Sequence, residues 1–410
     1  MRPAQPLPGT PMAIEGEVLW TPPPGSITAH AITRYREWLR TSRGLELPDY
    51  PSLWRWSVSD VEGFWLSLWE FFGLESPTPF RAVLESSDMP GARWFPGAQV
   101  NYAREVLGRA RRSGSVLLHQ SETRGGGALT AAELEAQVAR AAAALRRAGV
   151  RPGDRVAGFL PCMPETVVAL LATAAVGGVW ACCSPDFGSQ TVLDRFRQLE
   201  PRVLIGIDGY RFGGREIDRL AELGQIAAGL PTLEVVVVVP YLAPHAAGAG
   251  DHRLVQWEDF LGPKPQPLEI AATEFNDPLW VVFTSGTTGL PKGIVHGHGG
   301  IVLEQLKLLC LQSDLGLDSV LFFYTSSGWI NFNILVSALM AGATIAMYDG
   351  HPALPRPDHL WRLCDGFRAT NFGISPGYIQ LLAKAGVRPQ ESCQLDALRA
   401  ISCTGSTVTP

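Results

Sequence analysis

The chain has 410 residues, of which 46% are apolar and 18% charged, and a formal net charge of −5. This composition predicts a folded globular protein of two or three domains and excludes a disordered chain. No long basic tract is present, so we expect no nucleic-acid partner. The seven cysteines form no CxxC pair, which argues against zinc and a disulfide framework and favours a reducing cytoplasm.

Residues 1–110 are rich in aromatic side chains and contain few strand patterns. The proline-rich start lacks the basic-then-apolar order of a signal peptide. Ser59 and Asp60 are typical N-cap residues, and they predict a helix over residues 61–72 with one apolar face. We treat residues 1–110 as an N-terminal region and residues 111–410 as a second, incomplete domain.

From about residue 115 the pattern changes to alternating strands and helices. Thr130 and Glu133 form a capping-box pattern, which predicts a helix that ends at Gly149. Helices are also predicted over residues 164–176 and 189–199. Apolar runs predict strands over residues 155–160, 179–183, 203–207, 235–239, 279–283, 319–323, 343–348, 369–372 and 397–403. This alternation indicates an α/β fold with mostly parallel sheets covered by helices.

Residues 167–183 contain no charge and raise the alternative of a membrane span. The run is slightly short for a span, and Gly177 and Gly178 interrupt it. A buried helix followed by a strand explains the pattern better, so we expect no membrane span.

The segment 284–293 combines hydroxyl side chains, glycines and one lysine directly after a predicted strand. Its residues are Thr284, Ser285, Gly286, Thr287, Thr288, Gly289, Leu290, Pro291, Lys292 and Gly293. Glycines allow backbone N–H groups to approach an anion closely, and consecutive N–H groups form an anion-binding nest. Hydroxyl groups and Lys292 add donors and a positive charge. The segment does not fit the Walker A pattern, yet it predicts a polyphosphate site more strongly than a flexible connector.

The same segment resembles the phosphate loop shared by acyl-CoA synthetases, peptide-synthetase adenylation domains and luciferases. Residues 50–105 resemble the N-terminal region of the acetyl-CoA synthetase branch. Within that branch, residues 89–97, 296–300 and 348–350 resemble the acetoacetate-activating group most closely. The resemblance covers nearly the whole chain and implies the N-terminal part of an adenylate-forming enzyme, with the adenylation domain incomplete and the C-terminal lid domain absent.

The resemblance implies a two-step reaction with ATP, Mg2+ and coenzyme A. A carboxylate attacks the α-phosphate of ATP and expels pyrophosphate, and the CoA thiolate then displaces AMP. Preorganised N–H donors and a lysine suit the charge that builds on pyrophosphate. We therefore assign the catalytic role to Lys292 and phosphate contacts to Thr284, Ser285, Gly286, Thr287, Thr288, Gly289 and Lys292.

A second turn follows the last predicted strand. Thr404, Gly405 and Ser406 resemble the adenine- and ribose-binding turn of the family, although Cys403 and Thr407 depart from its pattern. An ordinary turn at a strand end is the alternative.

Trp329 resembles the tryptophan that shapes the acyl pocket in the family, where a rigid ring favours short acids. A core tryptophan is the alternative. Asn333 follows as a candidate donor to a keto oxygen. The polar residue Asn331 departs from the acetoacetate group and leaves the exact acid open.

Arg211, Gly213, Gly214 and Arg215 resemble a segment that contacts the CoA phosphates, with a spacing one residue longer than in acetyl-CoA synthetases. We predict this segment at the entrance of a helix, where arginine and glycine suit phosphate. A surface loop with solvated arginines is the alternative. The pair His296 and His298 suggests a metal only weakly, because no third ligand is nearby, so we expect packing roles and no protein metal site.

In the family the chain continues beyond the position of Pro410, with the Mg-binding glutamate, the ribose-binding aspartate and a lid that carries a catalytic lysine. We therefore expect a short-chain acid–CoA ligase that does not complete a turnover as the chain stands, with acetoacetate as the favoured acid. The alternatives are an acetyl- or propionyl-CoA synthetase and a non-catalytic nucleotide-binding fragment.

Overall fold

A computed structural model gives the fold of the chain. It describes residues 16–18, 20–23, 25–110, 114–243, 254–264, 266–284 and 289–407. Four residues predicted to contact phosphate, Ser285, Gly286, Thr287 and Thr288, lie outside the described residues.

Helices cover both faces of the sheets. The α-helices are α1 Ser26–Ala29, α2 Ala31–Arg43, α3 Tyr50–Ser59, α4 Val61–Phe71, α5 Tyr102–Arg109, α6 Ala131–Arg147, α7 Pro164–Ala175, α8 Ser189–Phe196, α9 Leu220–Ala228, α10 Trp257–Leu261, α11 His298–Leu306, α12 Ile330–Ser337, α13 His359–Gly366 and α14 Pro376–Lys384. Shorter turns are the π-helical segment Lys307–Gln312 and the 3-10 segments Ala338–Ala341 and Pro389–Glu391.

The strands build two large sheets and two short pairs. They are β1 Leu84–Ser86, β2 Arg93–Trp94, β3 Ser115–Ser121, β4 Gly127–Thr130, β5 Arg155–Phe159, β6 Val179–Cys183, β7 Val203–Ile207, β8 Gly209–Phe212, β9 Arg215–Asp218, β10 Val235–Val239, β11 Leu254–Gln256, β12 Pro278–Phe283, β13 Gly293–Gly297, β14 Val320–Phe323, β15 Thr344–Asp349, β16 Asn371–Ile374 and β17 Ala400–Cys403.

Both large sheets are parallel except at one edge. We call the seven-stranded sheet, ordered β11-β10-β7-β5-β6-β12-β13, the first sheet, and the six-stranded sheet, ordered β17-β16-β14-β15-β3-β4, the second sheet. Only β13 and β4 run antiparallel to their neighbours. The pairs β1–β2 and β8–β9 are separate antiparallel hairpins. The predicted α/β class with mostly parallel sheets is confirmed.

The apolar run at residues 167–183 is a buried helix followed by a buried strand. All residues of α7 from Thr166 onward are buried, and all five residues of β6 are buried. Gly177 has a φ of +73°, which ends the helix and turns the chain into the strand. In the described part of the chain, no helix is long and apolar enough to cross a membrane.

The N-terminal aromatic residues pack against the first sheet's connections. Trp69 stacks on Phe95 with ring centroids 4.9 Å apart, and Phe95 lies 4.9 Å from Phe275. Asn101 caps α5 and also donates from its amide to the carbonyl groups of Ala174 and Ala271. These contacts explain the aromatic composition of the first 110 residues, because the aromatic rings form a continuous core with the later elements.

Local sequence signals place the helix ends accurately. Thr130 accepts the N–H of Glu133 at 3.3 Å, and Glu133 accepts the N–H of Thr130 at 2.8 Å, so the predicted capping box is confirmed. Asp60 caps α4 as predicted, by accepting the N–H of Gly63. The predicted strands 179–183, 203–207 and 235–239 match β6, β7 and β10 residue for residue.

We predict that Thr130→Ala lowers the free energy of unfolding by about 1 kcal/mol, because the first turn of α6 loses a hydrogen bond acceptor. Thr130→Ser keeps the hydroxyl and should remain close to the wild-type stability. Urea denaturation followed by circular dichroism measures both variants. An alanine variant as stable as the serine variant would contradict this role of the cap.

Candidate active site

The loop before Trp329 joins the second sheet to the first at the carboxyl ends of their parallel strands. The Ser327 hydroxyl donates to the carbonyl oxygen of Leu160, at the end of β5. The Cys162 thiol donates to the carbonyl oxygen of Thr325 at 3.0 Å. A Cβ on Gly328 would lie 3.2 Å from the carbonyl oxygen of Cys182, so glycine allows this loop to touch β6. Open parallel sheets bind ligands outside the carboxyl ends of their strands, so this junction is the candidate site.

The phosphate loop joins β12 to the antiparallel edge strand β13. The N–H of Thr284 donates to the carbonyl oxygen of Lys292 at 3.1 Å, which closes the base of the loop. The Gln198 amide donates to the carbonyl oxygen of Pro291 at 2.9 Å and fixes the exit of the loop on the turn that follows α8. Lys292 is exposed, and within the described residues its side chain has no ion-pair partner. The strand predicted to deliver the chain into this loop is confirmed.

Strand β12 pairs with β6, the strand that Gly328 touches. The loop predicted to bind phosphate therefore begins on the strand next to the one that the loop before Trp329 contacts, although the two loops come from different sheets. This adjacency brings the predicted phosphate contacts and the predicted acyl pocket to one edge of the molecule.

Trp329 is 53% exposed at the N-terminus of α12, so the alternative of a core tryptophan is wrong. Asn333 lies one helical turn later and is buried, with 4% of its surface exposed. Trp329 is the N-cap residue of α12, with extended backbone, and Asn333 lies in the first turn of that helix. In the described part of the chain, the Asn333 side-chain amide makes no hydrogen bond, and it remains a candidate contact for a ligand.

The turn after β17 lies on the same edge of the second sheet. The N–H of Thr404 donates to the carbonyl oxygen of Ile374 at 3.3 Å, and Gly405 has a φ of +108°. Thr404, Gly405 and Ser406 are exposed. Strands β17 and β14 are separated by β16, so this turn starts about 10 Å from the loop that leads to Trp329.

The segment predicted to contact CoA is a β-hairpin and not a helix entrance. Gly213 and Gly214 form its turn with φ values of +62° and +77°, which are typical of a type I′ turn. The pattern misled because the strands have only four residues each and neither contains an apolar run. Arg211 pairs with Glu216 across the hairpin at 2.6 Å. Arg215 is exposed and has no ion-pair partner within the described residues.

Acidic and phenolic side chains that the sequence did not indicate lie next to this hairpin. The Tyr241 hydroxyl donates to Asp349 at 2.9 Å and accepts from the Ser121 hydroxyl at 2.6 Å. The Arg124 guanidinium lies 4.4 Å from the Tyr241 ring centre. Burial and the nearby carboxylates Glu122 and Asp186 raise the pKa of Asp349 to about 7, and the hydrogen bond from Tyr241 opposes this shift. Asp349 ends β15, and its signals in the sequence were this strand end and the resemblance of residues 348–350.

His296 and His298 have packing roles. The indole N–H of Trp280 donates to Nδ1 of His296 at 2.8 Å. The N–H of Tyr102 donates to Nδ1 of His298 at 3.1 Å, and burial lowers the pKa of His298 to about 4. Both histidines therefore fix α11 and β13 against the core. Among the residues that the structure describes, no group of three or more His, Cys, Asp or Glu side chains is arranged to hold a metal ion.

A parallel α/β scaffold with a hydroxyl- and glycine-rich phosphate loop at its strand ends is the architecture of an adenylate-forming domain. The family described as AMP-binding enzyme matches residues 109–410, and the family described as acetyl-coenzyme A synthetase N-terminus matches residues 50–106. The chain belongs to the AMP-binding enzyme family.

Three known proteins show which members of the family the chain is similar to. The acetoacetyl-CoA synthetase of Mus musculus is 36% identical over 404 residues, which are 96% of this chain and 60% of that protein. The malonamoyl-CoA synthetase vrtB of Penicillium aethiopicum is 32% identical and covers 90% of this chain and 55% of that protein. The solved acetoacetyl-CoA synthetase from Streptomyces lividans has a TM-score of 0.91 at 45% identity and covers 96% of this chain and 60% of that chain. The chain thus spans about 60% of the length of the acetoacetyl-CoA synthetases it matches.

We predict that Asp349→Asn stabilises the fold increasingly as the pH rises. The unfolded carboxyl loses its proton near pH 4 and the folded one near pH 7, so the wild type loses stability between these values. The neutral amide avoids this loss and still accepts a hydrogen bond from Tyr241. The stability difference should grow from near zero at pH 4 to about 2–4 kcal/mol at pH 8.

Urea denaturation at several pH values measures this difference. Asp318→Asn, which changes an exposed carboxylate, is the matched control and should show no such growth. A difference between Asp349→Asn and wild type that stays constant from pH 4 to pH 8 would contradict the role of burial.

Proposed function

We propose that the chain is the nucleotide- and acid-binding part of an ATP-dependent ligase that joins a short 3-oxo acid to coenzyme A. The observation that carries this proposal is the junction at Ser327, where the phosphate-loop edge of the first sheet meets the Trp329 loop of the second. An acyl-adenylate needs its carboxylate and its α-phosphate in contact. A site built from both sheets supports that arrangement.

Acetoacetate is the acid we favour. The relatives in mouse and in Streptomyces lividans are named for acetoacetyl-CoA, and the Penicillium relative for malonamoyl-CoA. Both acids carry a carbonyl group on the third carbon. The amide of Asn333, a buried residue in the first turn of α12, is suited to donate to such a carbonyl oxygen. The exposed indole of Trp329, at the start of the same helix, would limit the length of the acid.

The residues of this chain would divide the chemistry as follows. N–H groups of the phosphate loop, with Thr284, Gly289 and Lys292, would stabilise the charge that develops on pyrophosphate. Thr404, Gly405 and Ser406 would hold the adenine and ribose. Arg211 and Arg215 would bind the phosphates of CoA, whereas Gly213 and Gly214 would shape the hairpin that carries them. The seven cysteines are free thiols, which supports our placement of the protein in the cytoplasm.

Mg2+ is expected to enter with ATP. Since the described residues contain no three-ligand cluster for a metal, this part of the chain does not fit a dedicated metal site. Magnesium in nucleotide enzymes is often held by substrate phosphates and one or two carboxylates. We therefore assign the metal to the phosphates.

Lys292→Ala should weaken ATP binding by about 10- to 100-fold, because a charged hydrogen bond to phosphate contributes roughly 1.5–3 kcal/mol. Lys264→Ala removes an exposed lysine outside the site and is the matched control. Isothermal titration of each variant with Mg-ATP gives the affinities. Equal ATP affinity in the two variants would remove Lys292 from the phosphate site.

The acid is tested by titrating acetoacetate, acetate, propionate and butyrate into the chain with Mg-ATP, while pyrophosphate and AMP are followed. Acetoacetate should bind best. Asn333→Leu should weaken the binding of acetoacetate about 3- to 10-fold but leave the binding of butyrate unchanged, because butyrate lacks the keto oxygen. Asn331→Leu, two residues earlier, is the control.

The other outcomes identify the alternatives. Preference for acetate or propionate would favour an acetyl- or propionyl-CoA synthetase. ATP binding with no response to any acid and no pyrophosphate release would favour a non-catalytic nucleotide-binding chain. If Asn333→Leu weakens the binding of butyrate as much as that of acetoacetate, Asn333 has a packing role and does not bind the keto oxygen.

A further inference from the structure

Glu122 joins three segments at the edge of the second sheet. It follows the last residue of β3, and its backbone N–H donates to the carbonyl oxygen of Asp349 at 3.0 Å. One carboxylate oxygen accepts the N–H of His351 at 2.6 Å and the N–H of Gly213 at 3.3 Å. The other oxygen accepts the N–H of Gly214 at 3.0 Å. One side chain thus links β3, the loop after β15 and the β8–β9 hairpin.

The hairpin turn is an anion-binding nest that Glu122 fills. The two glycines have positive φ values, so their consecutive N–H groups point to the same side of the turn. Because both N–H groups already donate to Glu122, they are not free to bind a ligand phosphate. Any phosphate bound at this hairpin must therefore be held by side chains, and the arginines are the ones present.

The hairpin needs an external anchor. Strands β8 and β9 pair only with each other, and an isolated pair of four-residue strands is marginally stable in water. Other contacts assist Glu122, and Tyr210 of β8 is itself buried in the core. The hydroxyl of Thr123 accepts the N–H of Arg211 at 2.9 Å, and the Phe212 ring lies 5.1 Å from the His351 ring. The contacts to the hairpin tip, Gly213 and Gly214, come from Glu122.

We propose that Glu122 is a positioning residue that holds the β8–β9 hairpin on the sheet edge and thereby presents Arg211 and Arg215 to the phosphates of coenzyme A. This inference rests on the proposed function of the hairpin. Its consequence is that CoA affinity depends on Glu122, although Glu122 itself does not touch CoA.

The sign of the effect distinguishes positioning from simple charge. A carboxylate near a phosphate site repels the phosphate, so removing it should strengthen CoA binding if charge alone acts. Positioning predicts the opposite result. Glu216 provides the matched control, because it lies on the same hairpin and carries the same charge but pairs with Arg211 and does not anchor the turn.

The experiment compares wild type, Glu122→Ala, Glu122→Gln and Glu216→Gln in the full chain. Calorimetry measures the affinities for CoA and for ATP, and hydrogen exchange measures protection of residues 209–218. Glu122→Ala should weaken CoA by about tenfold, the effect of losing a charged hydrogen bond, and accelerate exchange at the hairpin turn. Glu122→Gln, which keeps one acceptor oxygen, should lie between wild type and alanine. Glu216→Gln should bind CoA as tightly as wild type or more tightly.

Three results would overturn the inference. Unchanged exchange in Glu122→Ala would show that the carboxylate does not hold the turn. Faster exchange with unchanged or tighter CoA binding would show that the position of the hairpin does not control CoA affinity. Equal weakening in Glu216→Gln would assign the effect to any substitution on the hairpin. If Glu122→Ala does not fold, which loss of ATP binding would reveal, the CoA affinity and hydrogen exchange of Glu122→Gln test the inference instead. A wild-type chain that binds ATP but no CoA would refute this inference and leave the ATP-binding part of the proposed function standing.

Discussion

The junction between the two large sheets is the constraint on which the site depends. Leu160 follows the last residue of β5, beyond the hydrogen bonds that pair the strands. Its carbonyl oxygen accepts a hydrogen bond from the Ser327 hydroxyl. A buried carbonyl without a partner costs free energy, so this bond fixes the loop before Trp329 against the first sheet. Gly328 makes the approach possible because it has no side chain to hold β6 away. Each sheet alone would carry only half of a ligand site.

The three regions that we propose to bind ligands follow the order of the strands. The turn proposed for adenine follows β17, the Trp329 loop follows β14, and the β8–β9 hairpin is held at the ends of β3 and β15. Neighbouring regions are one or two strands, or about 5–10 Å, apart along the sheet edge. A nucleotide, a short acyl group and a CoA phosphate would then lie in sequence, with the acyl group in the middle. That order suits a reaction in which the acyl group moves from AMP to a thiol.

Charge is distributed unevenly over this edge. Lys292 and Arg215 are exposed where anionic ligands would arrive, whereas Glu122 and Asp349 are held by N–H and hydroxyl donors. Donors around a carboxylate reduce its repulsion of nearby phosphates, so an acidic cluster and an anion site can be neighbours. The same donors order the backbone. The acidic residues thus support a surface that binds anions, which their charge alone does not suggest.

Local sequence signals determined the helix caps and the buried strands, because the hydrogen bonds at Thr130 and apolar runs such as residues 235–239 depend on neighbours along the chain. The motif at residues 284–293 also indicated the AMP-binding enzyme family, to which the chain belongs. Tertiary structure alone decided that residues 211–215 form a hairpin, that Trp329 is exposed and that Glu122 binds Gly214 across 92 positions. Such contacts join residues far apart in sequence, and no local pattern encodes which strand ends become neighbours.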